Sequence, residues 1–356
     1  MEDLFKTYCL RPPRLLQQLL PVSGTLKVEP EDFQVREIGD VTPSESGEHL
    51  HCWIEKRDLG TDELLTMLSR ELRISRDSIG LAGMKDKRAV TFQWISLPSE
   101  VESRLAEVEF KGFSVHASVL HSAKLRRGQL SGNAFQIRIR AMNGDDRVRL
   151  ELLWETIASC GVPNYFGAQR FGRDGNTLRL GLKLLKGEKV ERNQFLRQLS
   201  LHSVQSAIFN VVVGKRVEQA TFSAPLKGDS LINLKTHMPS ICLNPKVDAA
   251  KVEEGRLGIM GPLIGPKCHQ TKGEVALLEA DALERFGLKL ADFNKFSSLM
   301  PGQRRPFLLK PTKCEMHDVE GDPLLSFELP PGSYATVLMN EFLMCNGAGL
   351  GEEADT

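Results

Sequence analysis

The chain has 356 residues, of which 41% are hydrophobic and 26% are charged. This usage is that of ordinary globular proteins and excludes disordered and collagen-like classes, while the length predicts two domains. No apolar stretch has the length of a membrane span or the form of a signal peptide, so we expect a cytoplasmic protein without a membrane partner. Seven scattered cysteines without a CxxC pair indicate reduced thiols.

The 46 basic and 46 acidic residues give a formal net charge of zero, which supplies no overall attraction for nucleic acid. Two stretches, 111–140 and 293–313, nevertheless contain basic residues and no acidic residue. Two interpretations of them stay open. Both stretches could face one phosphate-binding cleft, or both could be solvated surfaces whose cations pair with acids elsewhere.

The first half of the chain predicts an irregular arm over residues 1–20 and two short strands, 26–28 and 33–35, on either side of a turn. Thr61 predicts the N-cap of an amphipathic helix whose leucines recur every four residues. Residues 79–84 are apolar and punctuated by glycine, and residues 90–97 are rich in strand formers. Between them lies the charged turn Lys85-Asp86-Lys87-Arg88.

The second half begins with a strand, because apolar residues alternate with Gln136, Arg138 and Arg140. A helix over 150–157 should end near Gly161. The remaining pattern predicts helices over 178–185, 194–213 and 275–286, a hairpin turn at 228–229, and strand-like segments over 323–329 and onward to 339. We therefore predict an α+β fold, with a mixed-sheet domain built from 1–160 and 307–356 and a smaller inserted α+β domain over 161–306.

Asp86 is the most notable candidate for chemistry. The adjacent Lys85, Lys87 and Arg88 favour its ionised form, which suits a nucleophile or a base. Aspartate is also common in turns for conformational reasons, so charge context alone leaves both interpretations open. Cys268 beside His269, and Cys314 near His317, each offer two metal ligands, fewer than the four of a structural zinc site, so we expect no metal.

Five sequence blocks resemble, in this order, the signature blocks of TruD-type tRNA pseudouridine synthases. They are Pro30-Glu31-Asp32-Phe33; residues 82–91 with Gln93-Trp94; residues 124–128 with 132–135; residues 162–172; and residues 329–336. The resemblance extends over residues 24–340, and the length corresponds to that of the bacterial members.

The resemblance implies a catalytic role for Asp86 and a uridine pocket lined by five residues: Lys27, Phe33, Asn133, Phe135 and Tyr334. Tyr334 stands where the family usually has phenylalanine. The basic residues expected to contact the RNA backbone are Lys85, Lys87, Arg88, Arg126, Arg127, Arg304 and Arg305. Phe33 and Phe135 could equally be core residues, and Asn133 a turn residue.

The resemblance also implies a reaction and a partner. The reaction is the isomerisation of uridine 13 of tRNA to pseudouridine, without a cofactor, and we expect tRNA as the partner of a monomeric enzyme. Two alternatives stay open: an RNA-binding protein of the same fold without catalysis, and a carboxylate-dependent nucleoside hydrolase, which would need a second carboxylate.

Overall fold

A computed structural model describes residues 2–39, 42–44, 46–190 and 193–343. These residues form two compact units. The first, here called the sheet unit, contains the described residues of 22–158 together with 311–335 and 343. The second, here called the helical unit, contains 2–21, the described residues of 159–310, and 336–342. The helices and strands confirm the predicted α+β class.

The strands follow one another along the chain in this order: β1 (Phe33–Ile38), β2 (His49–Arg57), β3 (Gly80–Leu81), β4 (Val90–Pro98), β5 (Phe113–His121), β6 (Gly132–Arg138), β7 (Val162–Pro163), β8 (Ser230–Asn233), β9 (Pro239–Ile241), β10 (Leu257–Leu263), β11 (Gln303–Pro306), β12 (Leu308–Leu309), β13 (Thr312–Val319) and β14 (Asp322–Leu329).

The α-helices are α1 (Glu2–Leu4), α2 (Thr61–Leu72), α3 (Glu102–Glu107), α4 (Asp146–Cys160), α5 (Asn176–Leu185), α6 (Gln194–Glu218), α7 (Pro245–Glu253), α8 (Gly273–Arg285) and α9 (Ala335–Asn340). None of the helices in the described part of the chain has the length and apolar character needed to cross a bilayer.

The sheet unit is built on an eight-stranded mixed sheet with the order β13-β14-β6-β1-β4-β2-β5, and β3 pairs with β4. Strands β1 and β4 are parallel, whereas the other pairings are antiparallel. The leucines of α2 pack on Ile54 and Ile95 in one hydrophobic cluster. Because neighbouring residues of a strand point to opposite faces, Phe33, Val35 and Glu37 share the helix-covered side, here called the inner face.

The helical unit is organised around α6, which is buried along most of its length. Four antiparallel strands, in the order β11-β10-β8-β9, form its sheet. The N-terminal segment belongs here, because the ring of Phe5 contacts that of Phe171 edge-to-face and Asn210 donates to the backbone oxygen of Tyr8. This grouping differs from the predicted one for residues 2–21 and 336–342, which the sequence assigns to the mixed-sheet domain and the structure to the helical unit.

Four local predictions are wrong. Residues 228–229 do not form a hairpin turn, because helix α6 and not a strand precedes β8. Residues 2–10 are helical and not irregular, because apolar side chains such as Phe5 find buried partners. Residues 26–28 are not a strand, since Lys27 has a φ of 56° in the left-handed region. The segment after β14 forms α9, because a short apolar run has the same composition in a buried helix as in a strand.

The predicted helices are confirmed. The helix from Thr61 exists, although its N-cap is Gly60, whose N–H donates to the Glu63 carboxylate. The helix ending before Gly161 is α4, and that glycine has the left-handed φ of 73° expected after a helix. The helices predicted over 178–185, 194–213 and 275–286 are α5, α6 and α8.

Glu341 gives the helical unit a pH dependence. Its carboxylate is 3% exposed and accepts the backbone N–H of Leu15 at 2.9 Å and that of Leu16 at 3.3 Å. Burial raises the pKa of Glu341 from its ordinary 4.5 to about 7. Because the folded pKa lies above the unfolded one, folding favours the protonated form of Glu341. The contribution of this group to the free energy of unfolding is full below pH 4.5 and is lost as the pH rises through about 7.

We therefore expect the free energy of unfolding to fall between these two pH values more steeply for the wild type than for Glu341→Gln. Urea denaturation across a pH series measures this difference. Parallel pH profiles for the two proteins would show that Glu341 is ionised at an ordinary pH in the folded state.

Candidate active site

Asp86 lies in the turn between β3 and β4, as the sequence predicts. Strand β3 is short because only Gly80 and Leu81 pair with β4. A side chain at Gly80 would collide with the Leu125 backbone, so glycine is required there. The carboxylate of Asp86 is 38% exposed and is therefore accessible to a substrate.

The backbone of this turn is held by residues from β2 and α2. Lys56, 0% exposed, donates from Nζ to the backbone oxygen of Asp86 at 2.7 Å and to that of Leu59 at 2.5 Å. The Thr61 hydroxyl donates to the backbone oxygen of Lys85 and accepts its N–H, both at 3.1 Å. The position of the Asp86 Cα is thus fixed by two buried side chains.

The Asp86 carboxylate has a cationic partner in Lys27. Its Nζ lies 3.4 Å from Asp86 Oδ2 and 4.1 Å from the centroid of the Phe33 ring. The left-handed backbone of Lys27 is supported from the turn, because Arg88 donates to the Lys27 backbone oxygen at 3.2 Å. The Lys27 and Asp86 side chains are 16% and 38% exposed, so this partly buried pair holds the carboxylate in one orientation.

Lys85 does not extend towards solvent. Its Nζ lies 2.7 Å from Glu37 Oε2 on β1, and the two side chains are 4% and 2% exposed. The predicted contact of Lys85 with the RNA backbone is therefore not supported, because the ammonium group is buried and already neutralised. The pair instead joins the Asp86 turn to the inner face of the sheet.

Asn133 lies beside Glu37, the residue of β1 that binds Lys85. It pairs with Glu37 across β1 and β6, and its Oδ1 is buried without a hydrogen-bond partner among the described residues. The Thr91 hydroxyl and both amide atoms of Gln93, on strand β4 at the other side of β1, are also buried without such a partner. Buried polar atoms are nearly always hydrogen-bonded in native proteins, so these atoms are left for a water molecule or a ligand to bind.

The predicted aromatic residues have unequal positions. Phe33 is 0% exposed and Phe135 is 7% exposed, and their rings meet edge-to-face at 6.2 Å. They form the core beneath Lys27, so the structure does not support them as stacking surfaces for a base. Tyr334 is partly buried and follows the turn at Gly332.

The first basic stretch divides into two groups. Arg138 is paired with Glu320 and Asp322, and Arg140 with Asp32, so these arginines are neutralised within the sheet unit. Arg126 and Arg127 are exposed in the loop between β5 and β6. Of the turn residues, Arg88 is exposed, and Lys87 forms an ion pair with Glu63 at 3.0 Å.

The arginines of the second stretch are engaged inside the helical unit. Arg304 is 8% exposed, forms an ion pair with Glu279 and donates to the backbone oxygen of His269. Arg305 donates to Asn164 Oδ1 at 2.6 Å and lies 4.2 Å over the Phe166 ring. The predicted phosphate contact of Arg304 is not supported, because its charge is buried with a carboxylate, and Arg305 is held by the segment around Asn164.

Five residues of the site are not predicted from the sequence: Glu37, Lys56, Thr61, Thr91 and Gln93. One signal was available, because the strand alternation of β1 places Glu37 on the same side as Phe33 and Val35. A charge on an apolar face requires a partner, and Lys85 is that partner. The described residues contain no group of three or more His, Cys, Asp or Glu side chains arranged to hold a metal.

The fold and these residues define an α+β protein whose mixed sheet carries an oriented aspartate near buried polar groups without a partner among the described residues. Comparison with known proteins gives the family. The model of "tRNA pseudouridine synthase D (TruD)" matches residues 14–192 and 188–342. The chain therefore belongs to the TruD family of pseudouridine synthases, which are isomerases.

Individual relatives agree over nearly the whole length. A tRNA pseudouridine synthase D of Anaeromyxobacter sp. (strain Fw109-5) is 35% identical over 346 residues, which are 96% of this chain and 98% of the relative. One of Thermus thermophilus is 36% identical over 334 residues, 94% and 92% of the two chains. A solved structure assigned to TruD of Methanosarcina mazei superposes with a TM-score of 0.74 at 26% identity, covering 96% and 97%.

Proposed function

We propose that this chain converts uridine 13 of tRNA into pseudouridine and that Asp86 is the nucleophile. The observation that carries the proposal is the arrangement of Asp86 itself. Its carboxylate is accessible, its charge is paired with Lys27, and its backbone is fixed by Lys56. A nucleophile held in one orientation reacts faster because little entropy is lost in reaching the transition state.

Pseudouridine formation breaks the N-glycosidic bond of uridine, turns the uracil ring, and rejoins it to the ribose through a carbon atom. Reactant and product have the same composition, so the reaction consumes no oxidant, reductant or ATP. Asp86 could attack the ribose anomeric carbon, attack the uracil ring, or promote cleavage to a glycal intermediate. Each route starts from an ionised carboxylate, so each depends on Lys27 in the same way.

The target uridine must leave its base stack to reach Asp86, and the site has to replace the contacts that are lost. The buried oxygen of Asn133 is a suitable acceptor for a uracil N–H, and the Gln93 amide on β4 offers a further donor and acceptor on the inner face. Tyr334, which is partly buried, supplies an aromatic ring for stacking. Arg88, Arg126 and Arg127 supply exposed positive charge for the RNA backbone.

The hydrolase alternative needs a second carboxylate acting as an acid or base. Glu37 is the carboxylate that the turn binds directly, and it is 2% exposed and neutralised by Lys85. It is therefore poorly suited to exchange protons with a substrate. An RNA-binding protein without catalysis would have no use for the orientation of Asp86.

Product analysis separates these functions. We expect purified protein to release tritium from tRNA that is labelled at the uracil carbon to which the ribose becomes attached. We also expect it to place pseudouridine at position 13. Free uracil among the products would identify a hydrolase, and tRNA binding without either product would identify a protein that has lost catalysis. Pseudouridine at another position of the tRNA would contradict the assignment to uridine 13 but not the isomerase activity.

We expect Arg126 and Arg127 to contribute to tRNA affinity through phosphate contacts. A double glutamine variant should bind tRNA more weakly, and the slope of log affinity against log salt should become flatter by about two units, one for each contact. The modified position should not change. The measurement is a binding titration across a salt series.

A suitable control is Arg70→Gln, because Arg70 lies on α2 in the same unit and its side chain is 77% exposed. It should leave the slope unchanged. Equal slopes for the wild type and the double variant would show that the loop between β5 and β6 does not contact the RNA backbone.

A further inference from the structure

We infer that the sheet unit carries a second nucleotide-binding site, a pocket for one unpaired RNA base on the side of the sheet opposite Asp86. This side, here called the outer face, carries Gln34 and Arg36, which alternate along β1 with the inner-face residues. The pocket has a volume of about 390 Å³ and is lined by residues of β1, β4, β6, β13 and β14. The inference rests on the proposed function only in taking tRNA as the source of the base.

The pocket exists because a small residue lies between long ones. In the pairing of neighbouring strands, Ala134 on β6 is flanked by Arg36 on β1 and by Glu328 on β14. Its methyl group leaves a depression between the two longer side chains, which form the walls. The depression lies at the centre of the sheet, where hydrogen-bonded strands on both sides keep it rigid.

One wall is formed by Arg36 and Phe92, which belong to a cluster with two tryptophan rings. The Arg36 guanidinium lies 4.4 Å from the centroid of the Phe92 ring and 5.6 Å from that of Trp53, and Trp94 is the next ring, 5.2 Å from Trp53. Arg36 is exposed, and it forms no ion pair with a carboxylate of the described residues. Planar cations and aromatic rings are the surfaces on which unpaired bases stack.

The floor beside this wall carries groups that can read a base edge. Gln34, Gln136 and Ser326 pair with one another in register across three strands, forming a polar row on the outer face. The Gln136 side chain is exposed and has no hydrogen-bond partner among the described residues. A planar amide donates and accepts at once, which matches the alternating donors and acceptors along the edge of a base.

The charges of the pocket favour a base over a phosphate group. Lys313 is paired with Glu328 at 2.8 Å, and Glu315 interacts with His317 at 3.1 Å. Only Arg36 of the lining cations is left without a carboxylate among the described residues, and it faces an aromatic ring. Stacking and edge contacts, and not charge neutralisation, are thus what the pocket offers.

A base in this pocket is different from the uridine that reacts, because the sheet separates it from Asp86. Occupation would hold a second, unpaired nucleotide of the tRNA and would add to affinity without taking part in bond breaking. Loss of the pocket should therefore raise KM and leave kcat unchanged.

The experiment uses the fluorescence of Trp53 and Trp94, the two tryptophans next to Arg36 and Phe92. We expect titration of the full-length protein with a short single-stranded RNA oligonucleotide to quench this fluorescence. Arg36→Ala and Gln136→Ala should each weaken oligonucleotide binding by about tenfold, as loss of one stacking or edge contact does. Arg70→Ala, which removes an equal charge from α2, should bind normally, and the double variant Trp53→Phe/Trp94→Phe should lose the quenching but retain the binding.

Two results would contradict base binding in this pocket. One is oligonucleotide binding that is unaffected by Arg36→Ala and Gln136→Ala, and the other is quenching that persists without Trp53 and Trp94. Capture of an extended peptide in place of RNA would overturn its assignment to a nucleobase. Failure of the proposed function is a separate result, because it concerns pseudouridine formation by the wild type. A protein that isomerises tRNA normally after both substitutions contradicts only the second site.

Discussion

Asp86→Asn is expected to abolish pseudouridine formation, lowering the single-turnover rate by more than about 10³-fold, as loss of a nucleophile does in other enzymes. The amide is almost the same size as the carboxylate, but it has neither its charge nor its nucleophilic oxygen. The turn should keep its shape, because Lys56 and Thr61 bind the backbone and not the side chain. Affinity for tRNA should therefore remain nearly unchanged in a binding titration.

Asp62→Asn provides the matched control. Asp62 is exposed on α2 in the same unit and also pairs with a basic residue, Arg76, yet it lies outside the turn. It should isomerise tRNA at the wild-type rate. Appreciable turnover by Asp86→Asn would contradict the assignment of the nucleophile, whereas equal losses in both variants would point to a general effect of removing a negative charge.

The second large effect is expected from the buried ion pair of Lys85 and Glu37. Lys85→Met leaves the Glu37 carboxylate without its cation in a site that is 2% exposed. Removing one partner of such a pair destabilises a protein by about 3–5 kcal/mol. The double variant Lys85→Met/Glu37→Leu should recover much of this loss, because an apolar pair leaves no charge buried. Urea denaturation of the wild type, of the single variants Lys85→Met and Glu37→Leu, and of the double variant measures the coupling.

Lys87→Met is the corresponding test of an exposed pair two residues away. Lys87 and Glu63 are 35% and 52% exposed, so this change should alter the free energy of unfolding by less than about 1 kcal/mol. Similar losses for Lys85→Met and Lys87→Met would contradict the burial of the first pair. A double variant no more stable than Lys85→Met alone would show that the charge is not what makes that substitution costly.

The sequence predicts those helices, strands and turns that depend on residues close together along the chain. Helices α2 and α4 were correctly predicted because their apolar residues recur at helical spacing, and the Asp86 turn because charged residues separate two strand-forming segments. Prediction failed at α9, where six residues are too few to show a period. It also failed at residues 26–28, where Lys27 takes a left-handed conformation.

The site was harder to predict, because its contacts join residues that are distant in sequence. Lys85 and Arg304 have the positive charge of phosphate-binding residues. The carboxylates that neutralise them come from β1 and α8, which are distant in sequence. Phe33 and Phe135 were ambiguous for a related reason. An aromatic residue on a strand stacks on a base or fills the core according to what covers its face, and here the covering residues come from other elements.

The order of strands in the eight-stranded sheet has a consequence for synthesis on the ribosome. Strand β6 lies between β1 and β14, yet about 180 residues separate it in sequence from β14. Until those residues have been translated, one edge of β6 has no partner, and backbone groups beside Phe135 and Ile137 are available to other chains. A nascent chain interrupted before β14 should therefore require chaperones and should aggregate when released early.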